Sequence, residues 1–196
     1  LMCTHILKAA RPSLNHPDPT LIRALAASLV QRPGASLTEL AKGAGISRAT
    51  LYRLAPTRSA ILAMLMSHAF TQVDGALSLA EGRKDDPKAG LEAATAAMLD
   101  ARDLIVLLFY QFGEEGKNKN DLHYSPPEWA PLDARLDAFF LSGQKAGAFT
   151  IEMPAPWLSD FYWTCLYGAA WSIARGRMAP ASALSTVMRS FLRGIT

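Results

Sequence analysis

Apolar residues recur at helical spacing along most of this chain, and turn-forming residues separate the periodic segments. The first segment follows Asp18 and Pro19, a capping residue and a proline at the first helical position, and it ends before Pro33 and Gly34. Its apolar stripe predicts a helix and consists of Leu21, Ile22, Leu25, Ala26, Leu29 and Val30. Residues 36–58 then predict two short helices joined by a glycine turn.

Capping signals mark the start of each short helix. Ser36 and Glu39 have the spacing of a capping box, and Gly45 tolerates the positive φ of a sharp turn. Ser47 caps the second helix, in which Leu51 faces inward. The residues left on the outside are Arg48, Ala49, Thr50, Tyr52 and Arg53.

These outward residue types suit a DNA surface. Arginine bonds guanine edges with two hydrogen bonds, a threonine methyl group contacts thymine, and tyrosine and arginine hold phosphate oxygens. Helical hairpins that never meet DNA also carry caps and a glycine turn, so the pattern alone leaves both interpretations open.

The distribution of charge favours the DNA interpretation. Residues 1–60 carry eight basic and two acidic side chains, a net charge of +6, whereas the remaining residues carry 12 basic and 15 acidic side chains, a net charge of −3. The overall +3 therefore hides a basic N-terminal module on a mildly acidic body.

The rest of the chain divides into further helices at its proline and glycine residues. A long helix is expected from Thr57 to about Ala80, and residues 88–112 are expected to form one helix or two helices divided near residues 100–103. Residues 113–121 are polar and predict a mobile loop. Later helices are expected to begin at Pro127, at Pro154 or Pro156, and at Pro180, with ends near residues 146 and 177 for the first two. Strand signals are nearly absent, so we predict an all-α fold.

Composition narrows the class further. The chain has 196 residues, half of them apolar, which suffices for a sizeable core. Its two cysteines, Cys3 and Cys165, lie far apart and indicate a reducing compartment rather than a disulfide framework. Neither a secretion signal nor an apolar run of about 20 residues is present, so we predict a cytoplasmic protein without a membrane partner.

Catalytic and metal-binding patterns are also missing from the sequence. His5, His16, His68 and His123 are dispersed, and no cysteine has metal-ligand spacing. No phosphate-binding loop, dinucleotide fingerprint or nucleophile elbow occurs. We therefore predict no enzyme activity, no metal and no cofactor.

Residues 36–62 resemble the TetR family of bacterial transcriptional regulators. The match covers about 45 residues, from the first helix through the start of the fourth, and residues 145–149 are similar to the segment that joins the family's helices 7 and 8. The resemblance implies a three-helix DNA-binding module in residues 1–60 and a helical body for ligand binding and dimerisation in residues 61–196. The DNA-contacting positions implied are Ser36, Ser47, Arg48, Ala49, Thr50, Tyr52, Arg53, Thr57 and Arg58.

Particular roles follow from the resemblance at two of these positions, and the chain departs from the family at a third. Tyr52 matches the family's phosphate-contacting tyrosine, and Arg58 takes the place of a lysine in its fourth helix. Ala55 stands where the family usually has an aromatic residue. Loss of a core aromatic ring costs about 3–5 kcal/mol if the space stays empty, so we expect Leu54 or Leu29 to compensate.

The last two helices carry apolar stripes that suit either an intramolecular core or a dimer interface. The resemblance favours a homodimer whose four-helix interface sets two recognition helices about 34–36 Å apart, or a small multiple of that distance. The predicted interface residues are Leu158, Phe161, Cys165, Ala169, Ser172, Leu184, Val187, Met188 and Phe191.

Aromatic residues are concentrated in the body, where they either fill the core or enclose a small apolar or aromatic ligand. The ligand contacts predicted are Arg102, Phe109, Tyr110, Trp129, Phe140, Trp163 and Tyr167. The sequence as a whole predicts a dimeric repressor that such a ligand releases from a palindromic double-stranded DNA operator. The alternative is a helical ligand carrier or protein-binding module whose DNA-binding surface has decayed.

Overall fold

The computed structural model describes residues 17–121 and 124–195, which form nine α-helices and contain no β-strand. The predicted all-α class is confirmed. Cys3, His5, His16 and His123 lie outside the described residues. The helices are α1 (Pro19–Gln31), α2 (Leu37–Gly43), α3 (Arg48–Leu54), α4 (Arg58–Glu81), α5 (Pro87–Asp100), α6 (Arg102–Lys119), α7 (Ala130–Lys145), α8 (Ala155–Ala174) and α9 (Pro180–Ile195).

The first four helices begin at the caps that the sequence predicts. The Asp18 carboxylate accepts the Thr20 N–H at 3.0 Å, and the side chains of Ser47 and Thr57 cap α3 and α4 in the same manner. Ser36 and Glu39 form the complete capping box at the start of α2. Each cap satisfies a backbone donor that the first turn of a helix leaves without a partner.

Helices α1, α2 and α3 form a small N-terminal head around Leu25, Leu40 and Leu51, each of which is fully buried. Gly45, at φ +69°, makes the turn between α2 and α3. A side chain at Gly43 would lie 2.4 Å from the Ser28 hydroxyl, so glycine is needed for the close approach of α2 to α1.

The start of α4 also belongs to the head, to which Arg58 is hydrogen-bonded, and the rest of α4 together with α5 to α9 forms the C-terminal body, so α4 runs from one into the other without a break. Helix α4 packs against α5, α6 and α7, while α8 packs between α7 and α9. The head contacts the body mainly where α1 lies against α6.

Two hydroxyl groups buried in the body form a hydrogen bond with each other. The hydroxyl groups of Thr95 and Tyr162 lie 2.9 Å apart, and Thr95 also donates to the Leu91 carbonyl at 2.7 Å. Burial raises the pKa of Tyr162 well above its ordinary value, so its hydroxyl group keeps its proton at neutral pH.

The structure corrects one predicted loop. Residues 113–119 continue α6 instead of forming a mobile segment, and the Lys117 ammonium lies 2.8 Å from the Glu114 carboxylate on the helix surface. Helix α6 ends at Asn120, which has left-handed backbone angles of φ 53° and ψ 39°. The sequence prediction took the glycines as signs of a loop, but Gly116 lies within α6. A glycine is needed there because the chain folds back after the helix, and a Cβ would lie 2.7 Å from the Asp121 carbonyl oxygen.

Helix boundaries in the second half differ from the predictions by a few residues. The predicted division of residues 88–112 into two helices is confirmed at Ala101. Helix α7 begins at Ala130 rather than at Pro127, and residues 127–129 form a turn before it. Helices α8 and α9 start as expected from their prolines.

One described helix, α4, is long and apolar enough to cross a membrane by length and composition, with a mean hydropathy of 1.2 over 18 residues. Its apolar side chains instead pack within the bundle, where Ile61, Leu65 and Val73 are fully buried. Core helices of helical proteins commonly meet the same criterion.

Candidate functional site

Helix α3 presents a polar, basic face to solvent. Leu51 is buried and anchors the helix to the head, while Arg48, Ala49, Tyr52 and Arg53 are exposed and Thr50 is half-buried. The face therefore has the residue types and the accessibility that reading a DNA groove requires.

Two interactions organise the exposed face of α3. The Arg48 guanidinium donates to the Tyr52 hydroxyl at 3.3 Å and lies 5.3 Å from the centre of the Tyr52 ring. The Thr50 and Ser47 hydroxyl groups are 2.9 Å apart. Arg48 is thus held along the helix surface beside Tyr52, with the rest of its guanidinium open to solvent.

Three other residues predicted to contact DNA make hydrogen bonds within the protein. Arg58 donates to the Ala35 carbonyl at 2.8 Å and also to the Pro33 carbonyl, so its guanidinium joins the start of α4 to the turn between α1 and α2. Ser36 belongs to the capping box, and these hydrogen bonds lower the pKa of Glu39. Thr57 caps α4. In this conformation all three hold the head together, and a DNA contact by any of them stays a prediction.

The departure at Ala55 lies inside the head. Ala55 and Leu29 are both buried in the hydrophobic core, and Leu54 is half-buried. Compensation by Leu54 or Leu29 for the missing aromatic ring stays a prediction.

A large cleft opens in the body between α4, the end of α6 and the segment that leads into α7. Its volume is about 1020 Å³, and its apolar wall includes Leu62, Met66, Phe70 and Leu132. The lining also includes polar residues, and three of these are carboxylates: Asp74, Glu115 and Glu128. No lysine or arginine lines the cleft among the described residues. The cleft is large enough for a drug-sized molecule.

Arg135 on α7 ties the outer end of this cleft to α4. Its guanidinium donates to both carboxylate oxygens of Glu81 at 2.8 Å, to the Ser78 hydroxyl at 3.0 Å and to Asp74. These hydrogen bonds lower the pKa of Glu81. Asp74 is therefore shared between the wall of the cleft and the contact of α4 with α7.

Aromatic rings pack behind the apolar wall of the cleft. Trp129 and Trp163 have ring centres 4.9 Å apart, and Phe109 and Tyr167 have ring centres 5.1 Å apart. Phe70, which does line the cleft, joins this cluster through Trp129 at 6.2 Å. The four predicted ligand residues in this cluster are brought together as expected, but they form a layer behind the cleft.

The other three predicted ligand residues lie elsewhere. Phe140 is fully buried in a second aromatic cluster and lines neither the cleft nor the smaller cavity described below, so a ligand contact by Phe140 stays a prediction. Arg102 lies at the start of α6, where it donates to the Leu99 carbonyl at 3.5 Å. Tyr110 lines a smaller cavity between the head and the body.

The residues that do line the cleft escaped sequence reasoning. Met66, Phe70 and Asp74 repeat every four residues on α4, which is a detectable helical stripe. The stripe alone does not indicate that α6 and the chain before α7 lie apart from this face of α4 and leave a cleft. Glu115 and Glu128 join the cleft only through the packing of distant segments.

The predicted dimer residues divide into two groups. Leu158, Val187 and Phe191 are buried inside the body, as are Ala169 and Met188, so these five are not available to a partner. The half-buried residues are Phe161, Cys165, Ser172 and Leu184. The accessible face of α8 runs instead through Trp157, Phe161, Thr164, Cys165, Gly168 and Ser172. The difference arises because α8 is apolar on several faces, and its packing against α6, α7 and α9 decides which face is internal.

Asp133 on α7 is the carboxyl group with the most unusual environment. Burial raises its pKa to about 6, Asp137 and Asp160 add to the rise, and the hydrogen bond from the Trp163 indole N–H at 3.1 Å opposes it. Because the folded-state pKa exceeds the ordinary value of 3.8, the protonated form favours folding, and this stability is lost as pH rises through about 6.

Asp133→Asn is expected to raise the melting temperature at pH 7.5 by roughly 2–4 °C, which corresponds to about 1 kcal/mol after allowance for solvent screening of a half-exposed group. The amide oxygen still accepts the Trp163 N–H, and the ionised carboxylate is removed. At pH 4 the variant and the parent should melt within about 1 °C of each other. Thermal melts at both pH values, with the exposed Asp100→Asn as control, test this, and an equal gain at both pH values would contradict it.

Metal-binding geometry does not occur in the part of the chain that the structure describes, where no group of three His, Cys, Asp or Glu side chains is placed to hold a metal ion. The accessible features of the described residues include the face of α3, the cleft and the cavity between head and body. A capped, exposed helix at the surface of a basic three-helix head, followed by a helical body with a large cleft, defines a helix-turn-helix transcriptional regulator.

Comparisons with known proteins agree with this class. The chain is 34% identical over 177 residues to the HTH-type transcriptional regulator NfxB of Pseudomonas aeruginosa, which covers 90% of this chain and 93% of that protein. It therefore belongs to the TetR family of transcriptional regulators. It is also 23% identical over 167 residues to the transcriptional repressor LfrR of Mycolicibacterium smegmatis, covering 85% of this chain and 84% of LfrR. No protein-family model matches the chain.

Solved structures show the same fold. The structure of LfrR in complex with proflavine superposes with a TM-score of 0.64 at 22% identity, covering 90% of this chain and 94% of that one. The regulatory protein TetR from Rhodobacter sphaeroides gives a TM-score of 0.64 at 17% identity, covering 90% and 97%. The relatives are transcriptional regulators rather than enzymes, and the chain is a DNA-binding transcriptional regulator.

Proposed function

We propose that this regulator is a cytoplasmic homodimeric repressor, which a small molecule bound in the body releases from a palindromic operator. The exposed face of α3 carries this proposal, because Arg48, Tyr52 and Arg53 have no contact that would withhold them from DNA. The basic character of residues 1–60 supports attraction to phosphate. The decayed-module alternative loses ground because the caps and the core of the head are intact.

The proposed dimer uses the accessible face of α8. Trp157 is 55% exposed, and Gly168, which has no side chain, allows a second helix to approach closely. Leu184 on α9 extends this apolar surface. Two copies of the pair α8 and α9 would bury these groups in a four-helix interface.

Binding to DNA tests the proposed function directly. We expect the protein to bind its own upstream DNA as a dimer, with an affinity that falls steeply as salt concentration rises. Fluorescence polarisation with a labelled duplex and a scrambled duplex of equal length measures both properties. Equal binding of the two duplexes at physiological salt would contradict the repressor function and favour the alternative, a ligand carrier or protein-binding module.

The cleft supports an effector that is apolar or aromatic and carries a positive charge. Its wall combines Met66 and Phe70 with the carboxylates of Asp74, Glu115 and Glu128. No basic side chain lines the cleft, and the basic partners of two of these carboxylates, Arg135 at Asp74 and Lys119 at Glu115, lie outside the lining. A cation is attracted to such a site, and its apolar part is removed from water against the wall. The LfrR structure in complex with proflavine, an aromatic compound, is consistent with this ligand type.

We expect tetraphenylphosphonium to bind the protein at least about 10-fold more tightly than tetraphenylborate, a difference of about 1.4 kcal/mol between ions of one shape and opposite charge. Isothermal titration without DNA measures both affinities. Glu128→Gln should weaken binding of the cation several-fold, whereas Glu92→Gln, an exposed site on α5, should not. Equal affinity for the two ions would contradict a charge-selective cleft.

Release from DNA requires that the effector prefer one conformation. A complete shift, from 1:99 to 99:1, needs about 5.5 kcal/mol of differential binding. Asp74 offers a route to this difference, because a bound cation competes with Arg135 for the same carboxylate and so weakens the contact of α4 with α7.

A further inference from the structure

A second cavity lies where the head meets the body, separate from the main opening of the cleft. Its volume is about 110 Å³. The head side is formed by α1, the turn after it and the start of α4, and the body side by α6 and α8. The lining residues are Leu29, Val30, Pro33, Arg58, Leu62, Val106, Leu107, Tyr110, Gln111 and Trp171.

The chemistry of this junction cavity is mainly apolar and uncharged. No carboxylate lines it, and the one charged residue, Arg58, has its guanidinium engaged by the carbonyls of Pro33 and Ala35. Val106 and Leu107 are almost fully buried and provide its floor. A charged compound would lose its hydration here without gaining a partner, so the cavity selects a neutral molecule.

The mouth of the cavity is aromatic and accessible. Tyr110 is 44% exposed and Trp171 is 39% exposed, which is unusual for large rings next to a core. A flat ring bound against them is partly removed from water and makes aromatic contacts. Engineered apolar cavities of about 150 Å³ take up benzene, so a cavity of about 110 Å³ whose lining includes two accessible rings suits a compound of one ring.

The position of the cavity gives an occupant a structural consequence. A ring placed there touches α1 and α4 of the head and α6 and α8 of the body at once. Leu62 and Gln111 also line the large cleft, so the two sites share a wall. Occupation of one site therefore bears on side chains that the other site uses.

We propose that the junction cavity is a second ligand site, for a neutral one-ring aromatic compound that bridges the head and the body. This proposal stands apart from operator binding and from the charge selectivity of the cleft. It is tested by binding to the full chain in the absence of DNA.

The experiment follows the methyl resonances of the ¹³C-labelled full chain during titration with toluene. We expect saturable shifts at Leu29, Val30, Leu107 and the shared Leu62, while Met66 and Leu132, which line only the cleft, stay unchanged. Val30→Phe places a ring in the cavity from a half-buried position and should weaken toluene binding at least tenfold. Leu141→Phe adds the same group at an exposed position of α7 and should leave binding unchanged.

Two results would overturn the proposal: toluene affinity unaffected by Val30→Phe, or shifts confined to the methyl groups of the cleft. If Val30→Phe does not fold, as judged from loss of methyl dispersion, Val106→Leu takes its place. That variant adds a single methylene group to the floor and should weaken binding about threefold, and unchanged affinity in it would equally overturn the proposal.

Discussion

Arg48→Ala is expected to weaken binding to the operator by about 10- to 100-fold, because an arginine that bonds a base edge is worth about 1–3 kcal/mol. Arg48 is exposed on α3 and is held beside Tyr52 by a hydrogen bond of 3.3 Å. Since this arrangement leaves donors of the guanidinium open, DNA can replace solvent as their partner without unfolding any part of the head.

The matched control is Arg83→Ala, which removes the same charge from an exposed position beyond the far end of α4. It should change the affinity less than about threefold, because an exposed charge beyond the Debye length of about 8 Å from DNA is largely screened. Fluorescence polarisation at several salt concentrations measures both variants. If the two substitutions weaken binding equally, net charge rather than the face of α3 governs recognition.

Phe140→Ala is expected to lower the free energy of unfolding by about 3–5 kcal/mol, the usual cost of deleting a buried ring. Phe140 is fully buried, and its ring centre lies 5.3 Å from that of Phe149 and 5.6 Å from that of Phe191. The ring therefore connects α7 with the turn after it and with α9, and the substitution leaves a cavity that these rigid neighbours cannot fill.

The adjacent Leu141→Ala provides the control, because Leu141 is 46% exposed. It should cost less than about 1 kcal/mol, since a surface leucine loses little contact on truncation. Urea unfolding followed by circular dichroism gives both values. A stability loss below about 1 kcal/mol for Phe140→Ala, together with weakened effector binding, would contradict the core role and support Phe140 as a ligand contact.

Local features of the head could be predicted from the sequence because they depend on residues close together in the chain. The capping box of Ser36 and Glu39 spans four residues, and the turn at Gly45 depends on one. The burial of Leu51 follows from its position on a short amphipathic helix. Each of these signals is complete within a few residues, and the TetR resemblance covered the same segment.

Features that depend on distant segments were predicted less well. The aromatic residues of the body were expected either to fill the core or to enclose a ligand. Whether a ring lines the cleft, as Phe70 does, or lies behind it, as Trp163 does, depends on how α4, α6 and α7 diverge. Helix α8 has apolar residues on more than one face, so Leu158 and Phe161 fit an interface equally well by sequence. Packing against α7 and α9 buries the first completely and leaves the second half-buried.

The hydrogen bonds from Arg58 to the carbonyls of Pro33 and Ala35 fasten the turn before α2 to the first residue of α4. Helix α4 has 24 residues and is therefore about 36 Å long. If its far end stays in the body, a tilt of about 6° swings the fastened end sideways by about 4 Å. This displacement already exceeds the spacing between successive base pairs of about 3.4 Å. In the proposed symmetric dimer, opposite displacements of the two copies would change their separation by twice as much. In the proposed dimer, a rearrangement of one or two side chains beside a bound effector is thus enough to shift both copies of α3 away from the spacing of the two operator half-sites.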